Sequence, residues 1–217
     1  MSKKEPVKVL IGLPTMGNIH TFLFLVIVQW LVKALNENTM GISVYPTMSV
    51  QPVDNARNEI VETFLKSDCT HLFFIDSDTI PPEDAIEKLL ALDADIASGI
   101  TPIIELDQNR INDSSGFYKR SNVLGMDNEL LQPNTGIHDM KAAGGSCLLI
   151  KRKVLEELST PAFRFIYKDC HPEGVSFAGK KDMMSEDYYF CAKALGKGFT
   201  LKCDTSIMCR HQKSVLW

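Results

Sequence analysis

The stretch His71-Leu72-Phe73-Phe74-Ile75-Asp76-Ser77-Asp78-Thr79-Ile80-Pro81-Pro82 decides how the rest of the chain reads. Leu72 to Ile75 form a short apolar run bounded by polar and proline signals, the pattern of a strand buried on both faces of a mostly parallel sheet. Asp76 and Asp78 flank one small residue where such a strand leaves the sheet, and in open α/β folds ligands collect at the carboxyl ends of strands. Two carboxylates that close repel each other. A divalent cation relieves the repulsion, and hard oxygen ligands suit Mg2+ or Mn2+, which keep some waters and bridge to phosphates. The stretch therefore predicts a metal held together with a diphosphate. A plainer reading competes with it: Pro81, Pro82, Glu83 and Asp84 have the form of a helix start, and Asp78 can belong to that cap.

Upstream, Val7 to Leu13 reads as a first buried strand that enters the loop Pro14-Thr15-Met16-Gly17-Asn18. A strongly apolar helix from about His20 to Asn36 follows, then a second strand from Ile42 to Met48. Ile60, Val61, Phe64 and Leu65 recur at helical spacing; Asp54 or Asn55 is the expected cap, which leaves Arg57 and Asn58 in the first turn. An arginine there opposes the helix dipole, so it either extends into solvent or reaches an anion, and the nearby acidic strand end favours a phosphate or nucleotide contact.

Downstream, Ile86, Leu89 and Leu90 mark the inner face of a helix, and Asp95 to Ile100 another strand. Strand and helix in alternation are the α/β signature. From about Glu105 to Met140 the periodicity fades into a variable loop, part of it pairing as a hairpin. Gly144 and Gly145 precede the next apolar strand and permit close approach of backbone to a ligand or another strand, or a simple bulge. Lys151 to Leu158 is a short helix. Ser185 before Glu186 and Asp187 starts another helix, which Gly196 and Gly198 end. Alternation from Phe199 to Cys203 then continues in the same parity through Ile207 and Cys209 to His211.

With 217 residues the chain is long enough for one compact domain, expected to cover 1–217 with a nucleotide-binding half (about 1–100) and an acceptor-side half (about 101–217). A net charge of −4 argues against a protein that grips nucleic acid chiefly through its phosphates. The six cysteines are scattered without a Cys-x-x-Cys pair, and no signal peptide precedes them, so they are read as reduced and the chain as cytoplasmic. The most apolar window, Phe22 to Val28, continues only past Gln29 and Lys33, too short for a transmembrane segment.

In order, these pieces are a strand ending in Pro14-Thr15, Asp54-Asn55-Ala56-Arg57-Asn58 opening a helix, Asp76-Ser77-Asp78 after a strand, Gly144-Gly145 before another, Ser185-Glu186-Asp187, and a late His211. The chain resembles the metal-dependent glycosyltransferases of the GT-A fold, close to the family 2 type, from Val7 to about His211. The resemblance implies a Rossmann-like, mixed but mostly parallel sheet flanked by helices, and transfer of a sugar from a nucleoside-diphosphate sugar to an acceptor hydroxyl. It implies Asp78 as a direct metal ligand, Asp76 on the donor ribose or on the metal through water, and His211 as a further ligand of Mn2+ or Mg2+. Pro14, Thr15, Asp54, Arg57, Asp76, Ser77, Gly144 and Gly145 would line the donor site. Asp187, with Glu186 as the alternative, would take the acceptor proton. A UDP-sugar is the first expectation and a GDP-sugar the second; the acceptor stays open, a nucleic acid being least favoured by the acidic composition. The first loop departs from many relatives in having no acid soon after Thr15, which passes the grip on the base to Asp54. Competing readings are a sugar nucleotidyltransferase of related fold, a haloacid dehalogenase-like phosphatase, a non-catalytic nucleotide-sugar binder, and a zinc module on Cys203, Cys209 and His211 with Cys170 and His171.

Overall fold

The computed structural model describes residues 6–106, 117–158, 160–167 and 183–212. In chain order the elements are β1 (Lys8–Thr15), α1 (Thr21–Glu37), β2 (Gly41–Met48), α2 (Val53–Lys66), β3 (His71–Ile75), β4 (Thr79–Ile80) and α3 (Ala85–Ala91). Then follow β5 (Ile96–Ile100), β6 (Pro102–Leu106), β7 (Phe117–Ser121), β8 (Val123–Gly125), β9 (Ile137–Ala143), β10 (Cys147–Lys151) and α4 (Arg152–Glu157). The last third holds β11 (Ile166–Tyr167), β12 (Met183–Met184), α5 (Glu186–Gly196), β13 (Leu201–Met208) and β14 (Arg210–His211).

Eight strands form one sheet in the order β2-β1-β3-β10-β5-β13-β9-β8. The expected α/β sheet flanked by helices is present, and it is mixed: β1 runs parallel to β2 and β3, and β13 to β5, whereas β10 runs against both of its neighbours and β9 against β13 and β8. Pro46 lies in β2, at the sheet edge, where a missing N–H costs no ladder bond. The alternation of β3 is used on both sides. Leu72 and Phe74 enter a core with Ile60, Phe64, Phe163 and Phe190, while Phe73 and Ile75 enter a second with Leu23, Ile27, Trp30 and Leu89. Phe163 stacks on Phe190 at 4.5 Å and meets Phe74 edge-on at 5.3 Å. Deleting one such ring costs about 3–5 kcal/mol.

Several local expectations change. Pro52, not Asp54 or Asn55, is the N-cap of α2, so Arg57 falls in the second turn and faces the sheet instead of sitting at the helix mouth. Asp54 Oδ1 accepts from the Asn55 amide at 3.0 Å, and Asn55 Nδ2 donates to the Gln51 carbonyl at 3.0 Å, a local bracing inside the first turn. Asp84 is the N-cap of α3, and β4 intervenes, so Asp78 does not cap a helix. The described residues near 105–140 hold more strand than their periodicity implies: β6 and β7 pair antiparallel, and β8 and β9 join the main sheet. β6 with β7 and β8 with β9 pair as neighbouring segments, in line with the expected hairpin, whereas β9 is fixed in the main sheet by β13 from more than 60 residues away, which local patterning does not report.

Because β1, β2 and β3 are parallel, their carboxyl ends lie along one edge of the sheet, carrying Thr15, Met48 and Ile75 there. Antiparallel β10 starts at the same edge, with Cys147 opposite Ile75, and so delivers Gly144 and Gly145 to it. His20, the N-cap of α1, accepts from the Phe22 amide through Nδ1 at 3.2 Å, and its own amide donates to the Ser77 carbonyl at 3.0 Å.

Candidate active site

The chain returns to the end of β3 in its last described turn. Strand β14 pairs antiparallel with β4, setting His211 opposite Thr79, and the Gln212 amide donates to the Asp78 carbonyl at 3.0 Å. His211 Nε2 then stands 3.2 Å from Asp78 Oδ2, and Nδ1 stands 2.9 Å from the Pro102 carbonyl oxygen. A carbonyl only accepts, so Nδ1 carries the hydrogen and the Nε2 position is the one turned to the carboxylate. Contact between that nitrogen and a carboxylate oxygen requires a positive centre: a proton on Nε2 or a cation shared by both. The imidazole is 14% exposed and the Asp78 carboxylate 47%, so the pair opens on its acidic side.

Asp76, two residues away, points elsewhere. Its Oδ1 accepts from Arg57 Nη2 at 3.0 Å. Among the described residues no three His, Cys, Asp or Glu side chains are grouped to hold a metal ion. The expected set of Asp76, Asp78 and His211 is thus brought together in part, as the Asp78–His211 pair, with Asp76 bound by an internal cation.

That cation is the centre of the second half of the site. Ile60 packs where a side chain on Gly12 would stand, which seats α2 tightly on β1 and brings Arg57, one turn earlier on the same face, over the Phe74 ring at 5.3 Å. Arg57 is 3% exposed; Nε donates to Glu186 Oε1 at 3.1 Å and Nη1 to the Gly145 carbonyl at 3.2 Å. Burial pulls against its charge, and the carboxylates of Asp76, Glu186 and Asp187 more than offset that, so the guanidinium stays ionised. Arg57 therefore does not extend into solvent, and the anions it reaches among the described residues are the chain's own carboxylates. A Cβ at Gly145 would lie 2.5 Å from Arg57 Cζ, and one at Gly144 would lie 2.7 Å from Asn122 Nδ2. Protein atoms fill the room that the two glycines leave.

Glu186 and Asp187 open α5, behind the N-cap Ser185, and have different surroundings. Glu186 is buried; burial and the Asp187 carboxylate push its carboxyl upward, against the opposing pull of Arg57. Asp187 is half-buried: Oδ2 accepts from the Gly145 amide at 3.1 Å, and Oδ1 from the Tyr188 amide at 2.8 Å and from the Ser185 hydroxyl. Tyr188, pushed up to about 12 by burial and by Asp187, remains a hydroxyl donor to the Asn122 carbonyl at 3.3 Å.

The remaining expected residues lie around this centre. Pro14 is buried at the end of β1, and Thr15 Oγ1 donates to the Asn18 carbonyl at 2.7 Å, folding the loop back on itself. Asp54 is half-buried at the start of α2, and Ser77 is half-buried between the two acids. Asn122 is a residue that the sequence reading passed over. Its Oδ1 accepts from the Thr101 amide at 2.8 Å, its Nδ2 donates to Ser146 Oγ at 3.3 Å, and its carbonyl accepts from the Gly144 amide at 3.0 Å. It fastens the glycine turn to the end of β5; no spacing signal in the chain marks it. The zinc alternative loses support in what is described, because Cys203 and Cys209 are buried free thiols; Cys170 and His171 lie outside the described residues.

No protein-family model matches the sequence, and no curated protein does. Solved structures match by fold. The protein A197 from STIV is 18% identical with a TM-score of 0.58, over 96% of this chain and 86% of that one. GalNAc-T7, in a crystal structure with UDP, GalNAc and Mn2+, is 11% identical with a TM-score of 0.55, over 96% of this chain and 44% of that one. The inositol-1-phosphate CTP transferase from T. maritima is 14% identical with a TM-score of 0.47, over 96% and 89% of the two chains. The first two likenesses establish a shared architecture. The chain spans less than half of the GalNAc-T7 chain.

Chemically, the edge offers carboxylates of two kinds, set apart by their neighbours. The outer Asp78 carries an imidazole, and the inner acids are fixed by a guanidinium and a backbone amide. Among the described residues no helix is long and apolar enough to cross a membrane.

Proposed function

We propose that the chain is a metal-dependent glycosyltransferase that moves a sugar from a nucleoside-diphosphate sugar to an acceptor hydroxyl. The observation that carries the reading is the meeting of Asp78 with His211 Nε2 at 3.2 Å, achieved by a strand from the far end of the chain. A carboxylate oxygen and an imidazole nitrogen that converge are the donor types that would hold Mn2+ or Mg2+ here, Asp78 through Oδ2 and His211 through Nε2. Pro102 fixes the imidazole tautomer that a ligand requires. A bound divalent ion would neutralise charge on the departing diphosphate. The fold likeness to GalNAc-T7, solved with UDP, GalNAc and Mn2+, supports the same chemistry.

Asp187 is the residue assigned to take the acceptor proton. Its carboxylate is half-buried and oriented by the Gly145 amide, whereas Glu186 is buried against Arg57 and serves to fix that corner. Pro14, Thr15, Asp54 and Ser77 are assigned to the nucleotide side, with Asp76 held by Arg57 at the donor ribose. UDP is the first choice of nucleotide and GDP the second, in a single cytoplasmic domain.

Thermal unfolding in the presence of UDP or GDP, with and without Mn2+, tests the reading. A rise in Tm that needs nucleotide and Mn2+ together, and that disappears in Asp78→Asn, is expected. Manganese affinity in Asp78→Asn equal to that of the unaltered chain would overturn the assignment. Asp187→Asn should retain the nucleotide response and lose transfer.

A further inference from the structure

Helix α1 is apolar on two sides. Leu23, Val26, Ile27, Trp30 and Ala34 face the core. Half a turn away, Phe24, Leu25, Val28, Val32 and Leu35 form a second stripe, and these five side chains are 37–83% exposed, with Phe22 on the shoulder at 54%. A helix apolar all round is ordinarily covered all round. The neighbouring α2 is built in the usual way, its exposed positions being Asn55, Glu62 and Lys66.

Phe and Leu side chains offer on the order of 150–200 Å² each, so the six together leave roughly 500–600 Å² of apolar surface, at the upper end of the roughly 300–600 Å² of the largest patch on a monomer, where such patches are often functional. Doubled across two copies, this reaches roughly 1,000–1,200 Å², the lower bound of a specific interface. Charge argues against a lipid surface as the cover. Interfacial helices carry Lys and Arg on their polar side, whereas the single lysine of α1, Lys33, is paired with Glu87 at 2.7 Å, the neighbouring Arg210 guanidinium stands over the Phe22 ring at 5.6 Å, and the chain has a net charge of −4. The sizes along the stripe point to the arrangement: Phe22, Phe24 and Leu25 lie in its first half, Val28 at its middle, and the aliphatic Val32 and Leu35 in its second. Packed antiparallel, large residues meet small ones; packed parallel, Phe24 would meet Phe24.

We propose that α1 is a homodimer interface, in which two copies of this chain pack their α1 helices antiparallel about a twofold axis close to Val28. Such a contact is self-complementary: Leu25 of each copy faces Val32 of the other, and Phe22 faces Leu35. It stands independently of the transferase reading.

Sedimentation velocity of the full chain over a range of concentrations tests it. A species with the mass of two chains is expected, and Leu35→Asp, at a position 83% exposed, should weaken association on the order of 100-fold while leaving Tm unchanged. The antiparallel register has its own test: Leu25→Asp and Val32→Lys chains, each monomeric alone, should form a mixed dimer. Should these two variants fail to fold, Val28→Cys near the axis should cross-link to a covalent dimer under mild oxidation. A wild-type chain that is monomeric up to 100-fold above the concentrations of ordinary assays overturns the proposal. So does a dimer indifferent to Leu35→Asp, or a monomer that floats with phosphatidylcholine vesicles and is released by that same substitution.

Discussion

The two arms of the candidate site solve the same electrostatic problem in opposite ways. Around Arg57, three carboxylates at close quarters are balanced by a buried cation that the chain supplies, fixed by Glu186, Asp76 and the Gly145 carbonyl. At Asp78 the described partner is an imidazole, on a carboxylate that is nearly half exposed. The first arm is a closed structure whose cation and hydrogen bonds are supplied on folding. The second is a carboxylate–imidazole pair that opens to solvent on its acidic side, the pair proposed to hold the ion. Stability should therefore belong to one arm and ion dependence to the other.

The largest test of that division is Arg57→Met. It leaves Glu186 and Asp76 without their partner and should cost about 3–5 kcal/mol in urea unfolding at neutral pH. The sign of the pH effect follows from Glu186, whose carboxyl is already raised by burial and Asp187. A group raised in the folded state contributes stability that is present below its unfolded value and is lost as pH increases, so the deficit of Arg57→Met should shrink toward about pH 4. A loss below about 1 kcal/mol would break the comparison. Gly145→Ala comes next, because the added methyl would meet Arg57 Cζ at 2.5 Å; overpacking of about 1–3 kcal/mol is expected.

A control lies at the opposite end of β3. Burial and Lys151 hold the His71 imidazole down to about 4. It is neutral in the fold, so its contribution is present above about pH 6.5 and is lost as pH falls toward 4, amounting to about 1–2 kcal/mol after allowance for its partial exposure. His71→Asn should flatten the stability profile in that window, which separates it from the Arg57 cluster. The smallest stability change is expected for His211→Ala, about 1 kcal/mol or less. Its effect should appear in Mn2+ titration, and a variant that loses stability but keeps manganese binding would exchange the roles of the two arms.

Much of this was legible in the residues. The apolar run of β3 is buried on both faces, the acids follow it, and the parity running from Phe199 to His211 does carry a histidine to the end of the sheet. What could not be read was pairing between distant segments. An apolar strand buried on both sides looks the same whichever way its neighbours run, so the antiparallel insertion of β10 between β3 and β5 left no trace. The same limit explains Arg57. An arginine near a helix start reads as reaching either solvent or an anion, with a phosphate favoured by the nearby acids, and only the helix beginning at Val53, with Glu186 arriving from 129 positions away, shows that the anions it meets are the chain's own. Asn122 escaped for a related reason: its side chain and carbonyl join Thr101, Gly144 and Ser146, contacts that exist only once three strands have met.

The bond from the His20 amide to the Ser77 carbonyl joins the first turn of α1 to the loop between the two aspartates. Both groups are main chain, so replacing either side chain leaves the fastening intact. Any displacement of the helix start is then transmitted as a tug on the peptide unit between Asp76 and Asp78, and a ligand that stiffens this loop should in turn slow amide exchange in the opening turn of α1.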